Sequence, residues 1–80
     1  MAAPHAIHEE FPNDSQAILA LKLGDAHFAR LLEEYDSIND EVENAAANVT
    51  PTDSLHETEL RKKRAALKDE IARMLSAQRA

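Results

Sequence analysis

Cysteine is absent from these 80 residues, which rules out disulfides, thiolate metal sites and a thiol nucleophile. Tryptophan is missing too, glycine occurs once, and the only aromatic rings are Phe11, Phe28 and Tyr35. So few aromatics and turn glycines argue against a multi-stranded β fold. No apolar run approaches the ~20 residues that a membrane span requires. The N-terminus lacks the basic start and apolar core of a secretory signal, so a reducing, cytoplasmic location without membrane contact is expected. What the chain does have is Ala, Leu, Glu, Lys and Arg in quantity, the composition of helices. Its net charge of -6 favours solubility and argues against a nucleic-acid role for the molecule as a whole. Eighty residues allow one small domain, and cores of that size often need a metal, disulfides or self-association.

The chain is organised around residues 25–47. Phe28, Leu31, Tyr35, Ile38 and Val42 recur at alternating spacings of three and four, the mark of an amphipathic helix with a narrow apolar seam. Leu32 lies on the shoulder of that seam. The exterior is acidic: Asp25, Glu33, Glu34, Asp36, Asp40, Glu41 and Glu43 stand against Arg30 alone.

Before this helix, residues 1–12 carry two prolines and no sustained period, and read as a flexible arm whose Ile7 and Phe11 can dock on the body. Residues 13–80 form the single domain. Asn13 or Asp14 can cap a lead-in helix over about 14–23, whose Ile18, Leu19, Leu21 and Leu23 must lean on something because so short a helix does not persist alone. Gly24 supplies a stop by tolerating the left-handed conformation, and Asp25 caps the central helix directly. After Ala45-Ala46-Ala47, the residues Asn48 to Pro51 end it. The return helix, about 53–78, has two competing starts. Thr50 can cap with Pro51 at the first position and Asp53 at the third, or Ser54 can cap with Glu57 in a capping box.

In the return helix Leu60, Leu67, Ile71 and Met74 form a second seam, widened by Leu75. Glu57–Arg61, Glu59–Lys63 and Asp69–Arg73 place an acid four residues before a base. The two long helices therefore carry opposite net charge, which supports their pairing. A short connection makes them antiparallel neighbours. With the turn near residue 50, Ile71 meets Phe28, Leu67 lies near Leu31 and Leu32, and Leu60 lies near Ile38 and Val42. Arg64 interrupts the seam, and the same register puts it near Asp36. A register-fixing pair, Arg64 with Asp36, is preferred to an anion contact. The expected fold is all-α, a coiled-coil-like antiparallel helical hairpin with a lead-in helix, assembling into a dimeric bundle to cover spare apolar surface at Leu19, Leu23 and Leu32.

These residues resemble a known family. His8-Glu9-Glu10-Phe11-Pro12, Leu21-Lys22, Asp25-Ala26-His27-Phe28-Ala29-Arg30-Leu31, Tyr35 and Ile38-Asn39 are similar to the YdcH-like family, as are Lys62-Lys63-Arg64 and Leu67-Lys68-Asp69-Glu70-Ile71. The resemblance runs over roughly residues 8–75 and implies a small helical-hairpin protein of the bacterial cytoplasm, of unknown function, with no established activity or cofactor.

Candidate chemistry is sparse. His5 and His8, with Glu9 and Glu10, lack the convergent ligands of a zinc site, so no metal is expected. His27 beside Asp25 has no nucleophile or oxyanion donor to serve and is expected to pack on the lead-in helix. His56 is expected to face solvent, and Tyr35 to be core with its hydroxyl at the edge. No catalytic residue and no cofactor are assigned. The expected function is a self-associating interaction module, a homodimer first, with a basic protein as a further partner. The alternative is a small nucleic-acid-associated regulator using Arg61, Lys62, Lys63 and Lys68 of the return helix. It is disfavoured because those cations point in different directions, no aromatic residue interleaves, and the neighbouring helix is acidic.

Overall fold

A computed structural model describes residues 5–46 and 54–79, and among them the regular structure is entirely helical, in four elements. They are α1 (Ile7–Glu10), α2 (Ser15–Gly24), α3 (Ala26–Ala46) and α4 (Ser54–Arg79). The segment expected to turn between the long helices, with its competing caps at Thr50 and Ser54, lies outside the described residues and side chains.

The single-turn α1 holds itself with Phe11 N–H donating to the Ile7 carbonyl at 2.9 Å. Asp14 N–H then donates to the Phe11 carbonyl at 3.1 Å, closing a turn with Pro12 second in it, where a fixed φ is an advantage. Residues 5–12, expected as a flexible arm, thus lie folded against the body, with Ile7 buried and Phe11 half-buried.

One residue turns the corner between α2 and α3. Asp25 has extended backbone (φ -139°, ψ 107°), and its amide closes α2 on the Leu21 carbonyl at 2.8 Å. Its carboxylate accepts from Phe28 N–H at 3.1 Å, and its carbonyl accepts from Ala29 N–H at 3.1 Å. Asp25 therefore caps α3, as its residue type suggests. Gly24 does not act as expected. It remains the last helical residue of α2 and does not adopt positive φ, because the reversal happens at Asp25.

The core forms where α1, α2, α3 and α4 converge. Ile7, Ile18, Phe28, Leu31, Tyr35, Ile71 and Leu75 are buried together, and Phe11, Ala17, Leu21, Leu32, Leu67 and Met74 pack around them. At about 1.5–3 kcal/mol for each large apolar side chain fully removed from water, this cluster is the main driving force for the fold. Phe28 shares the cluster with Ile71 and Leu75, while further along α3 Asn39 reaches Arg64. Val42, Ala45 and Leu60 continue the burial beyond that point.

Candidate interaction surfaces

The residues of the two expected seams differ in burial. Phe28, Leu31, Tyr35, Val42, Leu60, Ile71 and Leu75 are buried, and Leu32, Ile38, Leu67 and Met74 are half-buried. The polar interruption of the seam differs from expectation. Arg64 donates to Asn39 Oδ1 at 2.9 Å and lies 3.3 Å from Glu43 Oε1, not beside Asp36. The reason is directional. Helical side chains lean toward the N-terminus of their own helix. In α4 that lean carries the guanidinium toward higher numbers on α3, past Asp36 and on to Asn39 and Glu43. Asn39 is 3% exposed, a buried seam residue that periodicity alone did not single out because Ile38 fits the same step.

A second polar group ties the arm down. Tyr35 donates its hydroxyl to the His5 carbonyl, 30 residues away in sequence. His5 Nδ1 lies 2.7 Å from Glu10 Oε1, and Lys68 Nζ lies 3.4 Å from the other oxygen of that carboxylate. His5 sits at φ 63°, a left-handed conformation uncommon for a non-glycine residue, held here by contacts at both its carbonyl and its ring. The His5 hydrogen bond first, then Lys68, holds the Glu10 carboxyl below its ordinary value against the opposing effect of burial. Burial pushes the Tyr35 phenol up, Glu10 adds to this, and Arg64 opposes it. The Tyr35 hydroxyl is therefore a fastening and not merely an edge group.

A few further charged residues pair within the chain. Arg61 meets Glu57 at 2.8 Å, the expected four-residue spacing, whereas Arg73 goes to Glu70 and not to Asp69. His27 is exposed and faces Glu70 of α4 at 3.9 Å, so it does not pack on α2. Asp25, its neighbour, is spent as a cap. His56, Lys62 and Lys63 are exposed. Among the described residues no group of three or more His, Asp or Glu side chains could hold a metal ion. No helix among them is long and apolar enough to cross a membrane.

The third surface is apolar. Leu19 and Leu23 of α2 are 57% and 79% exposed, and Leu55 of α4 is 70% exposed. Beside Leu19 a recess of about 220 Å³ lies between α1, α2 and α3, floored by Ile7, Ile18 and Leu32 and rimmed by Lys22 and Asp36. Burial first, then Asp40, holds the Asp36 carboxyl above its ordinary value, with Lys22 and His8 opposing.

Together these features define a small protein, all-helical over its described residues, with an apolar seam interrupted by the Arg64–Asn39 polar station and with apolar surface left in water. The chain belongs to the family described as protein of unknown function (DUF465), which matches residues 28–75, from the first buried ring of α3 to the last buried leucine of α4. The YdcH-like resemblance is consistent with this family. No curated protein and no solved structure matches the chain.

Proposed function

We propose that this chain is a non-catalytic protein-interaction module of the cytoplasm, an antiparallel helical hairpin with a lead-in helix, working as a self-associated dimer. The observation that carries this reading is apolar surface left in water: Leu19 and Leu23 of α2 are 57% and 79% exposed, and Leu55 of α4 is 70% exposed.

The nucleic-acid reading is not favoured. Of the cations it needs, Arg61 is engaged by Glu57 and Lys68 by Glu10, while the neighbouring Arg64 is held by Asn39 and Glu43. Phosphate would have to displace these partners beside an acidic helix.

The test is sedimentation equilibrium from micromolar to submillimolar protein, with circular dichroism at each concentration. Twice the chain mass at the upper end, with helicity retained, is the expected result. A monomer throughout the range refutes self-association.

A further inference from the structure

The outward face of α2 is apolar where a surface helix is ordinarily polar. In ten residues, Ser-Gln-Ala-Ile-Leu-Ala-Leu-Lys-Leu-Gly, α2 carries one charge, Lys22. Its inward stripe is Ala17, Ile18 and Leu21, which pack on the core. A second stripe, Gln16, Leu19, Ala20 and Leu23, follows the three–four spacing of a packed helix face, and all four residues are exposed. A helix that is apolar on both sides belongs between two layers, and here one layer is present.

We propose that this second stripe of α2 is the interface with a second copy of the same chain, α2 packing on α2 around a two-fold axis. The inference rests on the self-association proposed above and assigns it to one surface. Three features favour a second copy over another occupant. The stripe is self-complementary: Leu19 of each copy lies against Leu23 of the other, and the small Ala20 lets the two backbones approach. Each stripe stands beside the recess over Ile18 and Leu32, so each copy offers both a projecting leucine and a place for one. The recess rim carries Lys22 and Asp36, opposite charges that a two-fold axis pairs twice across the interface. A second copy's Lys22 would also relieve Asp36, whose charge is opposed by burial and by Asp40. Leu55 is a comparably exposed leucine, but it stands at the beginning of α4, outside the recess.

The experiment compares the full chain with Leu19→Glu/Leu23→Glu and with Leu55→Glu by sedimentation equilibrium, with circular dichroism as the check on folding. Both α2 leucines are exposed in the single chain, so the double variant is expected to keep its helicity. Dimer affinity should fall about 100-fold or more, the size of a hot-spot loss, while Leu55→Glu leaves it unchanged. A double variant as dimeric as the wild type overturns the α2 interface and leaves self-association standing. A monomeric wild type removes both. Should the double variant lose helicity, Ala20→Cys decides, because the chain has no other cysteine. Mild oxidation that yields disulfide-linked dimers at Ala20→Cys but not at Leu55→Cys supports the interface, and failure to cross-link at Ala20→Cys overturns it.

Discussion

Removing one partner of the polar station at Arg64 should cost more than removing an ordinary surface pair. Asn39 is 3% exposed, the Arg64 side chain is 12% exposed, and the bond between them is 2.9 Å. A hydrogen bond to a charged group is worth about 1.5–3 kcal/mol, and a buried acceptor stripped of its donor costs about 1–3 kcal/mol. Arg64→Ala also loses the packing of its aliphatic stem. Each single change, Asn39→Ala or Arg64→Ala, should therefore destabilise by about 2 kcal/mol, lowering Tm by about 8–16 °C in a domain of this size. Because Glu43 remains near Arg64 in the first variant, the pair itself is best isolated by a double-mutant cycle. The assay is urea unfolding of the wild type, both single variants and the double variant, at one fixed protein concentration so that association contributes equally. A coupling energy of about 1.5–3 kcal/mol is expected. A coupling below about 0.5 kcal/mol, the range of independent sites, would refute a specific Arg64–Asn39 bond.

Other perturbations address the arm, the corner and the core. Tyr35→Phe removes the donor to the His5 carbonyl and should cost about 0.5–1.5 kcal/mol. Hydrogen exchange should then quicken at residues 9–11, and unchanged protection there would contradict a Tyr35 fastening. Glu10 is held below its ordinary value in the fold, so its contribution is present above the unfolded value and lost as pH falls through the lower folded one. Glu10→Gln should accordingly flatten the acid side of the stability–pH curve while leaving its shape near neutrality; an unaltered acid limb would mean that the contact is absent in solution. Gly24 is helical without positive φ, and a Cβ there would meet no atom within 4 Å. Gly24→Ala should thus stabilise by about 0.5–1 kcal/mol, whereas destabilisation would restore a left-handed role. Phe28 is fully buried, so Phe28→Ala should cost about 3–5 kcal/mol and abolish cooperative thermal unfolding; unchanged melting would show the seam to be misplaced.

The sequence exposed most clearly whatever repeats. Phe28, Leu31, Tyr35 and Val42 in α3, like Leu60, Ile71 and Leu75 in α4, could be picked out because burial recurs with the helical turn. Asp25 was legible as a cap, since its residue type and its place before an apolar run coincide. Features that do not repeat were hidden. Ile7 was named as able to dock, but the one-turn helix that carries it into the core is too short to have a period and was not read. The Tyr35 hydroxyl finds a backbone carbonyl 30 residues away, and carbonyls carry no sequence signature. Gly24 looked like a left-handed stop because glycine often is one, but the adjacent Asp25 could take the extended conformation and made that stop unnecessary. The apolar stripe of α2 was visible only as scattered leucines. Which of them face the core depends on how α2 is set against α3, a fact of three dimensions.

The polar station also explains what the apolar seams cannot do alone. Apolar residues recur every three or four positions on both α3 and α4, so sliding one helix past the other by a turn again sets apolar against apolar. Hydrophobic matching therefore discriminates poorly between neighbouring registers. Arg64 does discriminate, because its guanidinium is half-buried and needs acceptors at one level of α3. A slip of one turn toward lower numbers sets the buried Tyr35 ring in place of Asn39 and leaves only the exposed Asp36 as a carboxylate at that level. A slip the other way leaves Asn39 behind, buried without this donor. Arg64 thus bridges α3 and α4 from within the seam, and its partners Asn39 and Glu43 lie about one and two turns beyond the expected Asp36. That displacement follows from the lean of side chains toward the start of their own helix, and it applies to any long polar residue bridging two helices that run in opposite directions.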